Sequence, residues 1–181
     1  MKRDRRPIVA LAAALLTASC APLMVTAIQQ QTFELSQYRT YAWAAADGAV
    51  PGDPRLDNNP FFHQHVHAAI DRELQAHGFE PAPSMPDLRV HYYASATQRI
   101  HIRGNDTATT ICQGCAAQVY DEGTLVIDLT DPDTGAVVWR GSGQTDLAAA
   151  VNDQARMERT LDRLVRRILD QLPRQKHDSA E

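Results

Sequence analysis

Apolar residues recur at helical spacing in two stretches of the chain, and each stretch is expected to form an amphipathic helix. In the first stretch the apolar residues are Phe62, Val66, Ala69, Ile70 and Leu74. In the second they are Met157, Leu161, Leu164, Val165, Ile168 and Leu172. Asn59 suits the N-cap and Pro60 the first position of the first helix, and Gly78 suits the left-handed position after its end. Pro173 ends the second helix.

Alternating apolar and polar residues predict β-strands in the other regular stretches. The segments YRTYAW (38–43) and DLRVHYYAS (87–95) each alternate in this way. The segment GTLVIDLTDPDTGAVVWRGSG (123–143) is typical of a hairpin, because DPDTG has the composition of a tight turn between two apolar runs. Residues 21–37 leave room for one further edge strand.

The order strand, helix, strand, hairpin, helix predicts the fold class. A helix that crosses between two strands of one sheet joins a parallel pair, whereas a hairpin adds antiparallel strands. Each helix has a single apolar stripe, which is buried most simply against one face of a sheet. We therefore expect an α+β protein, a two-layer sandwich in which a mixed, mostly antiparallel sheet of about four to five strands carries both helices on one face.

The first twenty residues, MKRDRRPIVALAAALLTASC, are organised like an export signal with a cysteine at its end. A basic start is followed by a short apolar run over residues 8–16, then by small residues, then by Cys20. The apolar run is too short to cross a bilayer, which takes about 20 residues, so a cleaved signal is expected. The segment LLTASC resembles a lipobox, in which the cysteine receives lipid. An ordinary secretory signal with an incidental cysteine is the alternative.

This signal sets the expected organisation of the chain. The expected parts are a lipoprotein signal peptide (1–19), a lipidated N-terminus and tether (20–30), a single α+β domain (31–173) and a disordered polar tail (174–181). About 160 residues after cleavage are enough for one domain with a substantial core. Lipid on Cys20 would attach the domain to a membrane.

Cleavage also makes the exported chain more acidic. The whole chain has 18 Lys and Arg against 22 Asp and Glu, and loss of four basic residues and one Asp takes the net charge from −4 to −7. Nucleic-acid binding normally requires a basic surface, so no nucleic-acid partner is expected. In enterobacterial sorting, Asp after the lipidated cysteine favours the inner membrane. Ala21 therefore favours the outer membrane, with the domain facing the periplasm.

Five segments together resemble a known bacterial family. They are LSQYRTYAW, HGFEPA, PDLRVHYYA, EGTLVIDLTDPDTGAVVWRGSG and ILDQLP, and they extend over roughly residues 30 to 172. The family is the bacterial envelope lipoprotein family called domain of unknown function 4136. The resemblance implies a lipid-anchored envelope protein with no established activity, and it supplies no catalytic residues. The pair of cysteines and the density of histidines depart from the family pattern.

The segment ICQGC (111–115) contains the other two cysteines, Cys112 and Cys115. If Cys20 carries lipid, these two form an even pair in an oxidising compartment, where a structural disulfide is the expected state. Such a bridge closes a small ring, so it would stabilise its loop more than the whole fold. Thiol–disulfide redox chemistry is an alternative, although the segment lacks the strand-to-helix junction that lowers a thiol pKa.

Two histidines of the first helix supply another alternative. His63 and His67 are i,i+4 neighbours and can share an ion. With Cys112 and Cys115 they make a Cys₂His₂ set, which would suit zinc, and copper is a second candidate. An oxidising compartment would instead join the two thiols, and histidines at a helix edge are commonly surface residues.

No complete catalytic set is visible in the sequence. We therefore expect a non-catalytic, lipid-anchored lipoprotein that binds or scaffolds an envelope protein at the outer membrane, with no cofactor except the lipid on Cys20. Periplasmic metal binding and thiol–disulfide chemistry are the alternatives. The sequence leaves the partner and the assembly state open.

Overall fold

The computed structural model describes three helices and six strands within residues 23–29, 34, 37–44, 53–103, 116–147, 150 and 153–173. The helices are α1 (Pro54–Asp57), α2 (Pro60–Ala76) and α3 (Gln154–Leu169). The strands are β1 (Met24–Gln29), β2 (Thr40–Trp43), β3 (Glu80–Pro81), β4 (Leu88–Arg103), β5 (Ala116–Thr130) and β6 (Val137–Asp146). In this part of the chain, every helix is too short or too polar to span a bilayer.

The six strands form one mixed sheet in the order β1–β6–β5–β4–β2–β3. β2 runs parallel to β3 and β4, and the remaining neighbours are antiparallel. Helix α2 lies between β2 and β4 in the chain, and a helical crossover of this kind joins parallel strands. The predicted α+β class with a mixed sheet is therefore confirmed.

The predicted number of strands, four to five, is wrong, because the sheet has six. Strand β1 is an edge strand within residues 21–37, where the sequence leaves room for one, although it lies in the predicted tether (20–30), and the two-residue β3 lies within the proline-rich connector before β4. Neither has a strong pattern of its own: β1 has only half-buried residues on its inner side, and both residues of β3 are exposed. Such strands are recruited by pairing with a neighbour, which a local pattern does not reveal.

Both ends of α2 have the predicted structure. The side-chain oxygen of Asn59 accepts hydrogen bonds from the backbone N–H groups of Phe61 and Phe62, each at 3.1 Å. Pro60 occupies the first position, where no N–H is required. After the helix, Gly78 adopts a φ of 91°, which glycine accepts without strain. The predicted start and stop of this helix are confirmed.

Helix α3 begins after Asp153, whose carboxylate accepts a hydrogen bond from the Arg156 backbone at 2.9 Å. It ends at Leu169, a few residues before the predicted stop at Pro173. Leu172 lies beyond the helix but is still only 2% exposed. The apolar pattern therefore identified most of the buried residues, omitted the fully buried Leu169, and overestimated the length of the helix.

The two long helices contact the same face of the sheet. Tyr92, Ile127 and Gly141 are direct cross-strand neighbours on β4, β5 and β6, so they share a face. The ring of Tyr92 contacts α2, and Gly141 lies beneath α3. The fully buried side chains of the sheet on this face include Tyr41, Leu88, Val90, Leu125, Ile127, Leu129 and Trp139.

Two glycines of β6 allow α3 to approach the sheet closely. A Cβ on Gly141 would lie 2.5 Å from Cγ2 of Ile168, and one on Gly143 would lie 2.6 Å from Cδ1 of Leu164. Any side chain at these positions would push the helix away. The segment RGSG (140–143), which the sequence predicts simply as the end of a hairpin, is thus the part of the sheet against which α3 packs.

Strands β4 and β5 extend past the rest of the sheet as a two-stranded arm, formed by residues 98–103 and 116–121. Strand β6 pairs with β5 only as far as Glu122, whereas β4 and β5 remain paired through the whole arm. Ile100 and Val119 lie opposite each other on the arm and are 66% and 57% exposed. The arm is about 20 Å long at the usual rise of a strand.

Candidate functional site

His63, one of the two predicted metal-binding histidines, lies in the first turns of α2 next to β4. Its Nδ1 contacts the hydroxyl of Tyr92, and its Nε2 lies 2.7 Å from the backbone carbonyl oxygen of Asp57. A neutral ring with its proton on Nε2 donates to the carbonyl and accepts from Tyr92. Burial, and then the carboxylate of Asp57, raise the pKa of Tyr92 to about 12, so its hydroxyl keeps the proton that it donates.

His67, the second of these histidines, packs between two aromatic side chains. Its ring stacks on Trp43 with centroids 3.7 Å apart and an angle of 21° between the planes. The ring of Tyr92 meets it edge-on at 5.6 Å. Burial lowers the pKa of His67; Asp71 acts in the opposite direction, and His63 adds to the lowering. The neutral imidazole is therefore favoured at this position.

Asp71, one turn further along α2, joins the helix to β2. One carboxylate oxygen accepts hydrogen bonds from the Tyr41 hydroxyl at 2.9 Å and from the Trp43 indole N–H at 3.1 Å. Burial, together with the carboxylate of Asp71, raises the pKa of Tyr41 to about 12. The six residues form what we call the aromatic–histidine cluster: Tyr41, Trp43, His63, His67, Asp71 and Tyr92.

In the aromatic–histidine cluster, hydrogen bonds to one another or to the backbone are made by both ring nitrogens of His63, the hydroxyls of Tyr41 and Tyr92, the Trp43 indole N–H and one carboxylate oxygen of Asp71. In the described parts of the chain, no three His, Cys, Asp or Glu side chains are placed to hold a metal ion. A metal ion bound to His63 would have to replace its hydrogen bond with Asp57 or its hydrogen bond with Tyr92. Each such hydrogen bond contributes about 1 kcal/mol to the stability of the fold, and the ion would have to offset that loss. The contacts of the cluster hold α2 against strands β2 and β4 of the sheet.

The three cysteines lie outside the described residues. The predicted lipid on Cys20 and the predicted bridge between Cys112 and Cys115 therefore stay predictions. Along β4, Arg103 follows Tyr92 by eleven residues, which is about 36 Å in an extended strand. The arm thus leads away from His63 and His67 toward the segment that contains the Cys pair.

A second region of α2 forms an open apolar cleft with the start of α3. The cleft has a volume of about 490 Å³ and is lined mainly by Leu56, Phe61, Phe62, Met157 and Leu161. Phe61 is 75% exposed. His65 stands at the rim, where its Nε2 lies 3.1 Å from the carboxylate of Asp162. An apolar concavity with a few polar groups at its rim is the common form of a binding site.

The sequence analysis missed this cleft, although one signal for it was present. Phe61 precedes the apolar stripe that starts at Phe62, so an aromatic residue stands on a helix outside the side that is buried. Large exposed aromatic residues are frequent in interaction sites. The role of Asp71 left no comparable signal, because an aspartate in a helix normally faces water.

Comparison with known proteins places the chain in a family. The sequence profile described as "Domain of unknown function (DUF4136)" matches residues 25–174. The chain belongs to the DUF4136 family. The predicted family is thereby confirmed, while the lipoprotein character of this DUF4136 protein stays a prediction. Comparison with curated protein sequences finds no match.

Two solved structures resemble the DUF4136 chain in fold. A PDZ domain protein from Parabacteroides distasonis aligns with a TM-score of 0.53 and 15% identity over 87% of this chain. This chain covers 36% of that protein, or about a third of its length. The PelC dodecamer from Paraburkholderia phytofirmans aligns with a TM-score of 0.50 and 11% identity, over 86% of this chain and 100% of PelC. At these identities the likeness extends to the fold alone.

Proposed function

We propose that this DUF4136 protein is a non-catalytic lipoprotein, held by lipid on Cys20 to the outer membrane, that binds an envelope protein on the periplasmic side. Its two-layer domain presents the cleft between α2 and α3 to that partner. The observation that carries the binding role is the exposure of Phe61, which is 75% accessible beside an apolar cleft of about 490 Å³. Exposed apolar surface of this kind is stabilised when a partner covers it.

The state of the aromatic–histidine cluster supports a non-catalytic role. A general base or a nucleophile must present a polar atom to a substrate. In this cluster both ring nitrogens of His63 and one carboxylate oxygen of Asp71 bond to protein groups, and the ring of His67 packs between Trp43 and Tyr92. These contacts hold α2 in place, and the adjacent cleft is lined mainly by apolar side chains.

The position of β1 supports a short anchor. Strand β1 begins at Met24, four residues after Cys20, and four residues reach at most about 14 Å. A domain tethered in this way stays close to the bilayer, where two acyl chains hold a protein stably. The lipid is the only added group that the proposal requires.

The binding role is tested by crosslinking in intact envelopes, followed by recovery of the full chain. Phe61→Asp places a charge in the cleft and is expected to abolish recovery of a discrete partner. Met85→Asp is the matched control, because Met85 is 94% exposed and lies outside the cleft. Equal recovery by both variants, or no discrete partner with the native chain, would contradict the proposal.

The anchor is tested by metabolic labelling with palmitate and by mass spectrometry of the native protein. We expect label on the native chain, none on Cys20→Ser, and full label on the control Cys112→Ser. A native chain with unmodified Cys20, or with residues 1–19 still attached, would refute the anchor.

A further inference from the structure

The two outer edges of the sheet differ in how well they are protected against pairing. Edge strand β3 has two residues, Glu80 and Pro81, and combines a charge with a residue that has no N–H to donate. Edge strand β1 has six residues, MVTAIQ, without a charge or a proline. Natural proteins commonly block exposed edges with charges, prolines or very short strands. By that standard β3 is blocked, whereas β1, among the residues that the structure describes, carries none of these blocks.

The outer face of β1 is also apolar. Met24 is 71% exposed and Ile28 is 67% exposed, and Thr26 lies between them. Val25 and Ala27 point to the opposite side, where they pack partly against the core. In the described parts of the chain, β6 is the only strand that pairs with β1.

We propose that β1 pairs with β1 of a second copy of this chain, so that the two sheets join edge to edge about a two-fold axis. In the joined sheet, the helices of both copies must lie on the same face. This requires that residues paired across the axis point to the same face of the joined sheet. The register centred on Thr26 satisfies this condition. It sets Met24 opposite Ile28 of the other copy, Val25 opposite Ala27, and Thr26 opposite Thr26.

This register makes the strand complementary to itself. The exposed apolar residues Met24 and Ile28 cover each other across the axis, and the two Thr26 side chains form a pair that is favourable between antiparallel strands. The absence of charge on β1 avoids the repulsion that a two-fold axis would create between like residues. A different protein would have to supply an equally matched strand, whereas a second copy supplies it by symmetry.

The pairing is compatible with the proposed anchor but does not depend on it. In this register the two Met24 residues lie about 14 Å apart along the strands, at opposite ends of the pair. Each is four residues from its own Cys20, so both lipids can enter one membrane when the axis is normal to it. Anchoring would raise the local concentration of copies and strengthen a small interface.

Disulfide trapping in the full-length chain tests the pairing. Thr26→Cys is expected to give a covalent homodimer as the main product of mild oxidation, because residue 26 meets itself at the axis. Ser84→Cys, exposed near the opposite edge of the sheet, is the control and should form no more dimer than the native chain. Equal dimer in both variants, or a product with a different protein at position 26, would overturn the proposal.

The register is tested with two differently tagged chains made in the same cells. Met24→Cys and Ile28→Cys should crosslink to each other, and each alone should give little homodimer. Homodimers of Met24→Cys would contradict the register.

A charge exchange at the axis gives an independent test. Thr26→Lys and Thr26→Glu should each lower the dimer fraction about tenfold, and mixing the two should restore it. Failure of the mixture to recover would refute direct pairing at residue 26. Lipid on the native chain and the trapped dimer of Thr26→Cys are measured separately: a dimer with no lipid on Cys20 would remove the anchor and leave the pairing intact, whereas lipid without a dimer would do the reverse.

Discussion

The aromatic–histidine cluster and the cleft lie on two faces of the same helix, and they use aromatic residues in opposite ways. In the cluster, Trp43 donates a hydrogen bond to Asp71 and stacks on His67, while Tyr92 contacts His63 through its hydroxyl and meets His67 edge-on. In the cleft, Phe61 has no polar atom and is 75% exposed. Removing a residue of the cluster should therefore cost stability, whereas changing the cleft should cost binding.

The largest expected effect on stability comes from Trp43→Ala. The substitution removes the stack on His67 and the hydrogen bond to Asp71, and for a half-buried tryptophan the expected loss is about 2–3 kcal/mol of unfolding free energy. Urea denaturation measures it. Trp43→Phe keeps the stack on His67 and should lose about half as much stability. If Trp43→Ala were as stable as the native chain, the cluster would not hold α2 against the sheet.

A smaller loss is expected for Asp71→Ala. The hydroxyl of Tyr41 and the indole N–H of Trp43 would lose their acceptor, which costs about 1–3 kcal/mol for buried groups and less where water can reach them. Asp71→Asn keeps one acceptor oxygen and should retain most of the stability. If both variants were equally destabilised, charge rather than hydrogen bonding would be the cause.

The lowered pKa of His67 predicts a loss of stability in mild acid. The unfolded chain binds a proton on this residue near pH 6.5, whereas the folded chain binds it only at lower pH. The contribution of His67 to the free energy of unfolding is therefore fully present above pH 6.5 and decreases as the pH drops below that value. Denaturation at pH 7 and pH 5 measures the fall, which should be shallower in His67→Phe. An unchanged slope would assign the effect to other histidines.

The smallest effect on stability is expected for Phe61→Asp. Since Phe61 is largely exposed, its replacement should change the free energy of unfolding by no more than about 0.5 kcal/mol. The same variant is expected to lose the envelope partner. A large loss of stability would mean that Phe61 belongs to the core and would end the contrast between cleft and cluster.

The apolar framework of the fold was predictable because each part of it has a local pattern. The stripe from Val66 to Leu74, the caps at Asn59 and Gly78, and the hairpin around DPDTG all appear in the structure where the sequence places them. The length and spacing of these elements also define the crossover, and with it the parallel pair of β2 and β4.

The polar contacts and the edges were not predictable in the same way. The bond from Trp43 to Asp71 joins residues 28 positions apart, and nothing near either residue indicates the other. His63 and His67 were correctly placed as neighbours on one side of a helix, but their partners on β2 and β4 depend on the tertiary fold. Strand β1 exists because β6 offers it an edge, so its own sequence carries little signal.

Site-specific photocrosslinking in living cells tests the central claim most directly. A benzophenone amino acid is placed at position 61 in the cleft or at position 85, which is 94% exposed outside the cleft. If the cleft is the binding surface, the probe at position 61 captures one discrete envelope protein and the probe at position 85 captures none. The claim would be contradicted if a folded, exported chain captured nothing from position 61, or if both positions captured the same products.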